Sequence, residues 1–346
     1  MNPFLTQPPE TDPIAVLQLR DGLYAADLMS AAISHIDFFT WLAANPRVAD
    51  ADICEQFGFV ARPVDVLLTL CRAYGFVLTD AEGRHQVSAT AQEHLVRESP
   101  FFLGAYYDSM KDRPVTLDYL EVFKTGKPAS WASLEDQGDW HEAMHDEHFA
   151  QGFTAAMDCR GLALGQALAR AVGPFIEGRQ QVLDVGGGSG IYTATLLAAY
   201  PELRGVVMEQ APVDAIALKT LDRHGLKDRV QVVTANLFEN SWPSADVHLL
   251  SNVLHDWDVP EVRAILKRSA ESLAPGGLVI IHEVFINEAK TGSIPAAAYS
   301  ALLMQVTQGK CYTPLEYGAL LEESGFRVGP YQETLADRGF MTAVRL

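Results

Sequence analysis

Four glycines in five positions, Gly186, Gly187, Gly188 and Gly190, follow the apolar run QVLDV, and Glu209 ends the next such run, RGVVME. Missing Cβ atoms let backbone N–H and C=O groups approach a ligand closely. A carboxylate at the neighbouring strand end can accept both hydroxyls of a ribose, so loop and acid together point to a nucleoside. Farther along, NVLHDWDVPEV carries His255 and Asp256, and IIHEVF carries His282 and Glu283. An imidazole with an ordinary pKa of about 6.5 takes up protons near neutrality, and a carboxylate behind the ring would fix its tautomer. Side chains alternate along a strand, so His282 should face away from Glu283.

Counted from Gly186, the dinucleotide fingerprint GxGxxG asks for glycine where Ile191 stands. The loop is therefore less suited to a pyrophosphate. S-adenosylmethionine, with ribose and adenine but no phosphate, fits better. The competing interpretation is a tight turn with Glu209 merely solvated.

The elements that must position these groups follow from periodicity. From about residue 180 short apolar runs (QQVLDV, RGVVME, VQVVTA, DVHLLSNVL, GLVIIHEVF) alternate with amphipathic helical stretches. That alternation means a parallel sheet covered on both faces, a doubly wound α/β fold that binds ligands at its carboxyl edge. FRVGPYQETLADRGFMTAVRL reads as two strands joined directly, an antiparallel pair at the sheet edge. The first hundred residues read as helical, and residues 14–44 are apolar on more than one face, as for burial against a second subunit. ADADICEQFG, RPVDVLLTLCRAYGFV and LTDAEGRHQV give two short helices and a strand pair turning at Asp80–Gly83, a winged-helix pattern. A DNA reader would be basic on the second helix; here it offers only Arg62 and Arg72.

The bulk properties agree. The chain has 346 residues, enough for two domains, and a formal net charge of −18 with no Lys/Arg cluster, which argues against nucleic acid. Cys54, Cys71, Cys159 and Cys311 form no CxxC pair, as expected of reduced cytoplasmic thiols. No signal peptide and no membrane span is expected.

The stretch from about 180 to 346 resembles the small-molecule O-methyltransferases, which include plant caffeate-type and bacterial polyketide-tailoring enzymes. The resembling pieces are LDVGGGSG, ANLFE, HDW, LAPGGLVIIHEVF and YTPLEYGALLEESGF. The amino-terminal helices and wing are similar to the family's dimerisation domain. The resemblance implies a class I methyltransferase, Rossmann-like sheet with an antiparallel edge, preceded by a helical winged-helix domain. It implies a dimerisation domain over 1–100, a helical connector and pocket wall over 101–174, and a catalytic domain over 175–346. It implies S-adenosylmethionine as cofactor, a small hydroxylated aromatic or polycyclic acceptor, and a homodimer.

Carried over by position, the resemblance assigns Asp184, Gly186, Gly188, Gly190, Glu209, Asn236, Leu237 and Ser251 to the cofactor. It assigns His255 as general base for in-line methyl transfer, with Glu283 as its orienting partner. Phe153, Met157, Asn252, Asp256, Met304 and Cys311 are assigned to the acceptor. Several positions depart from the family pattern. Glu209 stands where Asp is usual, Asn236-Leu237 where Asp-Met is usual, and Ser251 where plant members often have Lys. Cys311 takes the place of a second carboxylate, where a thiol could only line the pocket.

His141, His145 and His148 are spaced to share one helix face. That spacing could bind a metal, but no metal is expected, and a solvated helix end accounts for it equally. Three alternatives remain at this stage: methylation of nitrogen or carbon, non-methylating use of the cofactor, and a winged-helix regulator sensing a small molecule.

Overall fold

The computed structural model describes residues 3–128 and 143–346. The chain forms two compact units that interleave in sequence: Met1–Leu17, Trp140–Phe285 and Pro314–Leu346 in one, Gln18–Asp139 and Ile286–Thr313 in the other. These units divide at 139/140 rather than at the expected 100 and 174, and the excursion 286–313, expected within the catalytic domain, groups with the amino-terminal helices.

The first unit is built on seven strands: β3 (Gln181–Val185), β4 (Arg204–Glu209), β5 (Val230–Thr234), β6 (Val247–Ser251), β7 (Leu278–Val284), β8 (Phe326–Glu333) and β9 (Arg338–Arg345). Their order is β5-β4-β3-β6-β7-β9-β8. β3 to β7 pair in parallel, whereas β9 runs antiparallel to both β7 and β8. This is the class I methyltransferase fold, with the antiparallel edge as expected. Every residue of β7 is buried, as an apolar strand sandwiched by helices must be. From β3 the chain winds outward through β4 and β5, then returns to place β6 on the other flank of β3. That reversal opens a crevice beyond the carboxyl ends of β3 and β6.

The long helix Glu147–Ala171 packs on the helix Ile191–Ala199, which follows the glycine loop. A Cβ on Gly161 would lie 2.5 Å from Ile191, and one on Gly165 would lie 2.5 Å from Thr195. The two small residues thus let the long helix press onto the start of the loop's own helix.

In the other unit the helices Asp50–Phe57 and Ala61–Ala73 precede an antiparallel pair, β1 (Val77–Thr79) and β2 (His85–Val87), which is the expected wing. The two arginines of the second helix turn inward. Buried Arg62 donates to the carbonyls of Gly309 and Gly126, and Arg72 Nε donates to that of Lys290. The helix therefore has no basic face to offer a phosphate backbone, which removes the physical basis for a DNA reader. Asp65 beside them is buried, which alone would raise its pKa, but Lys310 and Lys290 hold it down at about 2. Among the described residues no helix is long and apolar enough to cross a membrane.

Candidate active site

The loop after β3 holds three glycines in left-handed backbone, with φ of 62° at Gly186, 58° at Gly188 and 76° at Gly190. Side chains other than glycine are strained there. A Cβ on Gly188 would meet nothing within 4 Å, so the loop is open at its middle, while one on Gly186 would meet Val253 at 3.3 Å. Glu209 closes β4 and is tied to the same loop. Its Oε1 accepts the Gly188 N–H at 2.9 Å, and its Oε2 accepts the Gln210 N–H at 2.9 Å. Desolvation outweighs these bonds and pushes the carboxyl up to about 7, with Asp184 and Asp214 adding repulsion. A group of donors such as a ribose diol would complete its hydrogen bonding.

Asp184 lies against the same loop, its Cγ 2.7 Å from where a Cβ on Gly187 would sit. It is buried, accepts from Thr193 Oγ1 at 2.8 Å, and is raised to about 6 by its burial. It latches β3 to the helix Ile191–Ala199 and holds the loop between them. Beyond β5, Asn236 Oδ1 accepts the Phe238 N–H at 2.8 Å and the Leu237 carbonyl accepts from Trp242 at 3.0 Å, which fixes the turn expected beside the adenine. The Phe238 ring meets Trp257 edge-on at 4.7 Å. The open cradle at Gly188, the acceptor at Glu209 and the ordered turn at Asn236-Leu237 fit a nucleoside.

His255 lies in a single 3-10 turn, Leu254–Asp256, just past β6, and is 2% exposed. Burial depresses the imidazole well below its usual range, helped by the positive charges of Arg160 and Arg338 and by His282. The ring is therefore neutral at physiological pH. Glu283 was expected behind this ring, but its carboxylate lies under the backbone instead. Oε1 accepts the N–H groups of Val253, Leu254 and His255 at 3.2, 2.8 and 3.2 Å, and Oε2 accepts the Tyr317 hydroxyl at 2.5 Å. These are the unsatisfied donors at the start of the 3-10 turn, and an anion is the natural partner for them. Burial raises Glu283 to about 7 against the pull of its four hydrogen bonds.

The carboxyl beside the imidazole is that of Asp256, with Oδ1 3.6 Å from His255 Nε2. Burial and the nearby Glu283 raise it well above the usual range. Ser251 Oγ and Asn252 Nδ2 lie 3.2 Å apart at the end of β6. His282 does face away from Glu283, meeting Ser251 and Thr334.

Phe153 and Met157 are half-buried on the long helix, Phe153 stacking with Phe149 at 6.1 Å beside Met144, Val213 and Ile216. Met304 and Cys311 belong to the other unit, where both are buried and Cys311 N–H donates to Ser300 Oγ at 3.1 Å. His141 lies outside the described residues, and His145 and His148 are exposed. Among the described residues no three metal-ligating side chains are grouped. Sequence reasoning missed Arg160, Tyr192, Tyr317 and Arg338. Two of them carried a signal: Arg160 follows Met157 by three positions, one turn along the same helix face, and Tyr317 lies in the resembling stretch YTPLEYGALLEESGF.

Residues 119–327 match the family model of the O-methyltransferase domain. The chain is 32% identical to 3-hydroxy-5-methyl-1-naphthoate 3-O-methyltransferase of Streptomyces sahachiroi, over 92% of this chain and 91% of that one. It is 36% identical to 2,7-dihydroxy-5-methyl-1-naphthoate 7-O-methyltransferase of Streptomyces carzinostaticus, over 83% and 85% respectively. An O-methyltransferase family 2 protein from Planctomyces limnophilus, solved in complex with apigenin, matches with a TM-score of 0.88 at 28% identity, covering 99% of this chain and 98% of that chain.

Proposed function

The chain belongs to the O-methyltransferase domain family and is a methyltransferase dependent on S-adenosylmethionine, and on that premise we propose that it methylates a hydroxyl of an aromatic or fused-ring acceptor with His255 as general base. The observation that carries the base assignment is the Glu283 grip on three consecutive amides, which holds a buried, neutral imidazole at the end of β6. The relatives named for hydroxynaphthoates support an acceptor of that class, as does the neighbour solved with apigenin.

When bound, the cofactor supplies an electrophilic methyl group on a sulfonium. Glu209 would accept the ribose hydroxyls, the Gly186–Gly190 loop would line the cofactor's flank, and the turn at Asn236-Leu237 would border the adenine. Phe153 and Met157 offer an apolar wall to a planar acceptor; Met suits an irregular ligand because it is flexible and polarisable. A phenol with a pKa of about 10 is protonated at neutrality. His255 Nε2, on the Asp256 side of the ring, takes that proton as the oxygen attacks. The new charge then sits 3.6 Å from Asp256 Oδ1. Base catalysis of this kind is worth about 10²–10⁴-fold. Alignment of acceptor and methyl group contributes up to ~7–11 kcal/mol more.

A homodimer is part of the same proposal. The helix Ile14–Asp21 leaves Val16 and Leu19 exposed at 74% and 83%, with Leu23 at 52% just beyond, and an apolar stripe of that kind asks for a partner.

The test is incubation with methyl-labelled cofactor and a panel of hydroxynaphthoates and flavonoids. Label on a phenolic oxygen is the expected result; label on carbon or nitrogen, or none moved across the panel, overturns it.

A further inference from the structure

A chain of side-chain hydrogen bonds runs from the turn before β9 to the glycine loop, and its far end fixes the direction of every bond. Thr334 Oγ1 lies 3.0 Å from the Arg338 carbonyl. A carbonyl only accepts, so the threonine hydrogen is spent there. His282 Nε2, 3.3 Å from the same hydroxyl oxygen, must then donate to it. Burial pushes His282 down to about 3, so the ring is neutral and its Nδ1 is an acceptor. Ser251 Oγ, 3.0 Å from Nδ1, therefore gives its hydrogen to the ring and has only lone pairs left for Asn252. Asn252 Nδ2 lies 3.2 Å from Ser251 Oγ and 3.2 Å from Tyr192 Oη, which uses both amide hydrogens. Reversing the amide would set its oxygen against a serine oxygen with no hydrogen to give.

Two groups are left over. Asn252 Oδ1 is buried with no hydrogen-bond partner among the described residues. Tyr192 Oη is an acceptor in its bond to Asn252, so its own hydrogen remains to be donated. Asn252 also holds a φ of 55°, a left-handed backbone that a non-glycine residue adopts at a cost and that tends to cluster at ligand sites. Both residues border the loop. Tyr192 stands in the first turn after Gly190, and Val253, next to Asn252, is the side chain that a Cβ on Gly186 would touch.

We infer that Asn252 and Tyr192 form the site for the α-amino acid end of the cofactor, its ammonium donating to Asn252 Oδ1 and its carboxylate accepting from the Tyr192 hydroxyl. One acceptor and one donor, side by side and each with capacity to spare, suit the ammonium and the carboxylate of an α-amino acid. The assignment rests on the S-adenosylmethionine reading above and completes it, since Glu209 serves the nucleoside end. Asn252 thereby moves from the acceptor's wall to the cofactor's.

Calorimetry on the full-length protein tests this with two ligands that differ only at that end: S-adenosylhomocysteine and 5′-methylthioadenosine, which lacks the amino acid. Asn252→Ala and Tyr192→Phe should each weaken S-adenosylhomocysteine at least about tenfold, as loss of a bond to a charged group does, and leave methylthioadenosine within twofold. Equal weakening of both ligands, or of neither, overturns the inference. Should Asn252→Ala fail to fold, Tyr192→Phe decides alone, because it removes a single oxygen. Wild-type protein that binds neither ligand would overturn the cofactor assignment itself, a result distinct from failure at these two residues.

Discussion

Tyr317 and Glu283 share a hydrogen bond of 2.5 Å, and through it a residue of the helix Pro314–Glu323 reaches the turn that carries His255. The Tyr317 hydroxyl occupies Glu283 Oε2, which leaves Oε1 to collect the three amides at 253–255. Both are positioning residues: neither lies on the imidazole, yet both set where its backbone sits.

Removing the tyrosine hydroxyl tests that arrangement. Tyr317→Phe takes away a bond to the charged form of Glu283, whose pKa then rises above about 7. The acid limb of the kcat/KM profile should move to higher pH and kcat should fall by about tenfold, a loss equivalent to one such bond. Affinity for S-adenosylhomocysteine should stay unchanged. A profile superimposable on wild type would show that Glu283 does not govern His255.

His255→Ala should lower kcat by about 10²–10⁴ at neutral pH with cofactor affinity intact. The deficit should narrow as pH climbs toward the phenol's own pKa of about 10, where the acceptor arrives already ionised. Turnover near wild type at pH 7 would mean that alignment alone carries the reaction.

Much of this architecture is local in origin and so could be read directly from the chain. Apolar runs, the glycine cluster and the wing turn at Asp80–Gly83 are patterns within ten or so residues, and the sheet with its antiparallel edge follows from them. The site's wiring is not local. Glu283 meets residues about thirty positions earlier, Tyr317 meets Glu283 across a segment that packs in the other unit, and Asn252 meets Tyr192 sixty positions away. Asp184 shows the same limit at short range. The resemblance assigns it to the cofactor, and only the fold shows that its Oδ2 accepts from Thr193, nine positions along the chain.

Glu209 should make ligand binding and stability respond to pH in opposite senses. Burial sets its carboxyl at about 7, above an unfolded value of about 4.3. If only the ionised form accepts the ribose hydroxyls, affinity for S-adenosylhomocysteine rises roughly tenfold from pH 6 to pH 8. The folded state meanwhile holds more protons than the unfolded state between those two pKa values. Stability therefore falls as pH rises through that window and levels off above about 7. Glu209→Gln should flatten both trends, raising Tm at pH 8 while weakening the ligand. A variant that retains the wild-type pH dependence of binding would remove Glu209 from the ribose.

The dimer can be tested at Leu19. Leu19 and Val16 are three positions apart on one helix and so share a face, and Leu23 extends the stripe. Sedimentation equilibrium should give about twice the chain mass of 37.9 kDa for the wild type. Leu19→Glu removes one leucine per subunit that a dimer would cover, each worth about 1.5–3 kcal/mol, and puts a carboxylate in its place. The dissociation constant should rise at least about a hundredfold, with the far-ultraviolet circular dichroism spectrum unchanged. A wild-type protein that sediments as a monomer at micromolar concentration would show that this stripe serves something other than a second copy.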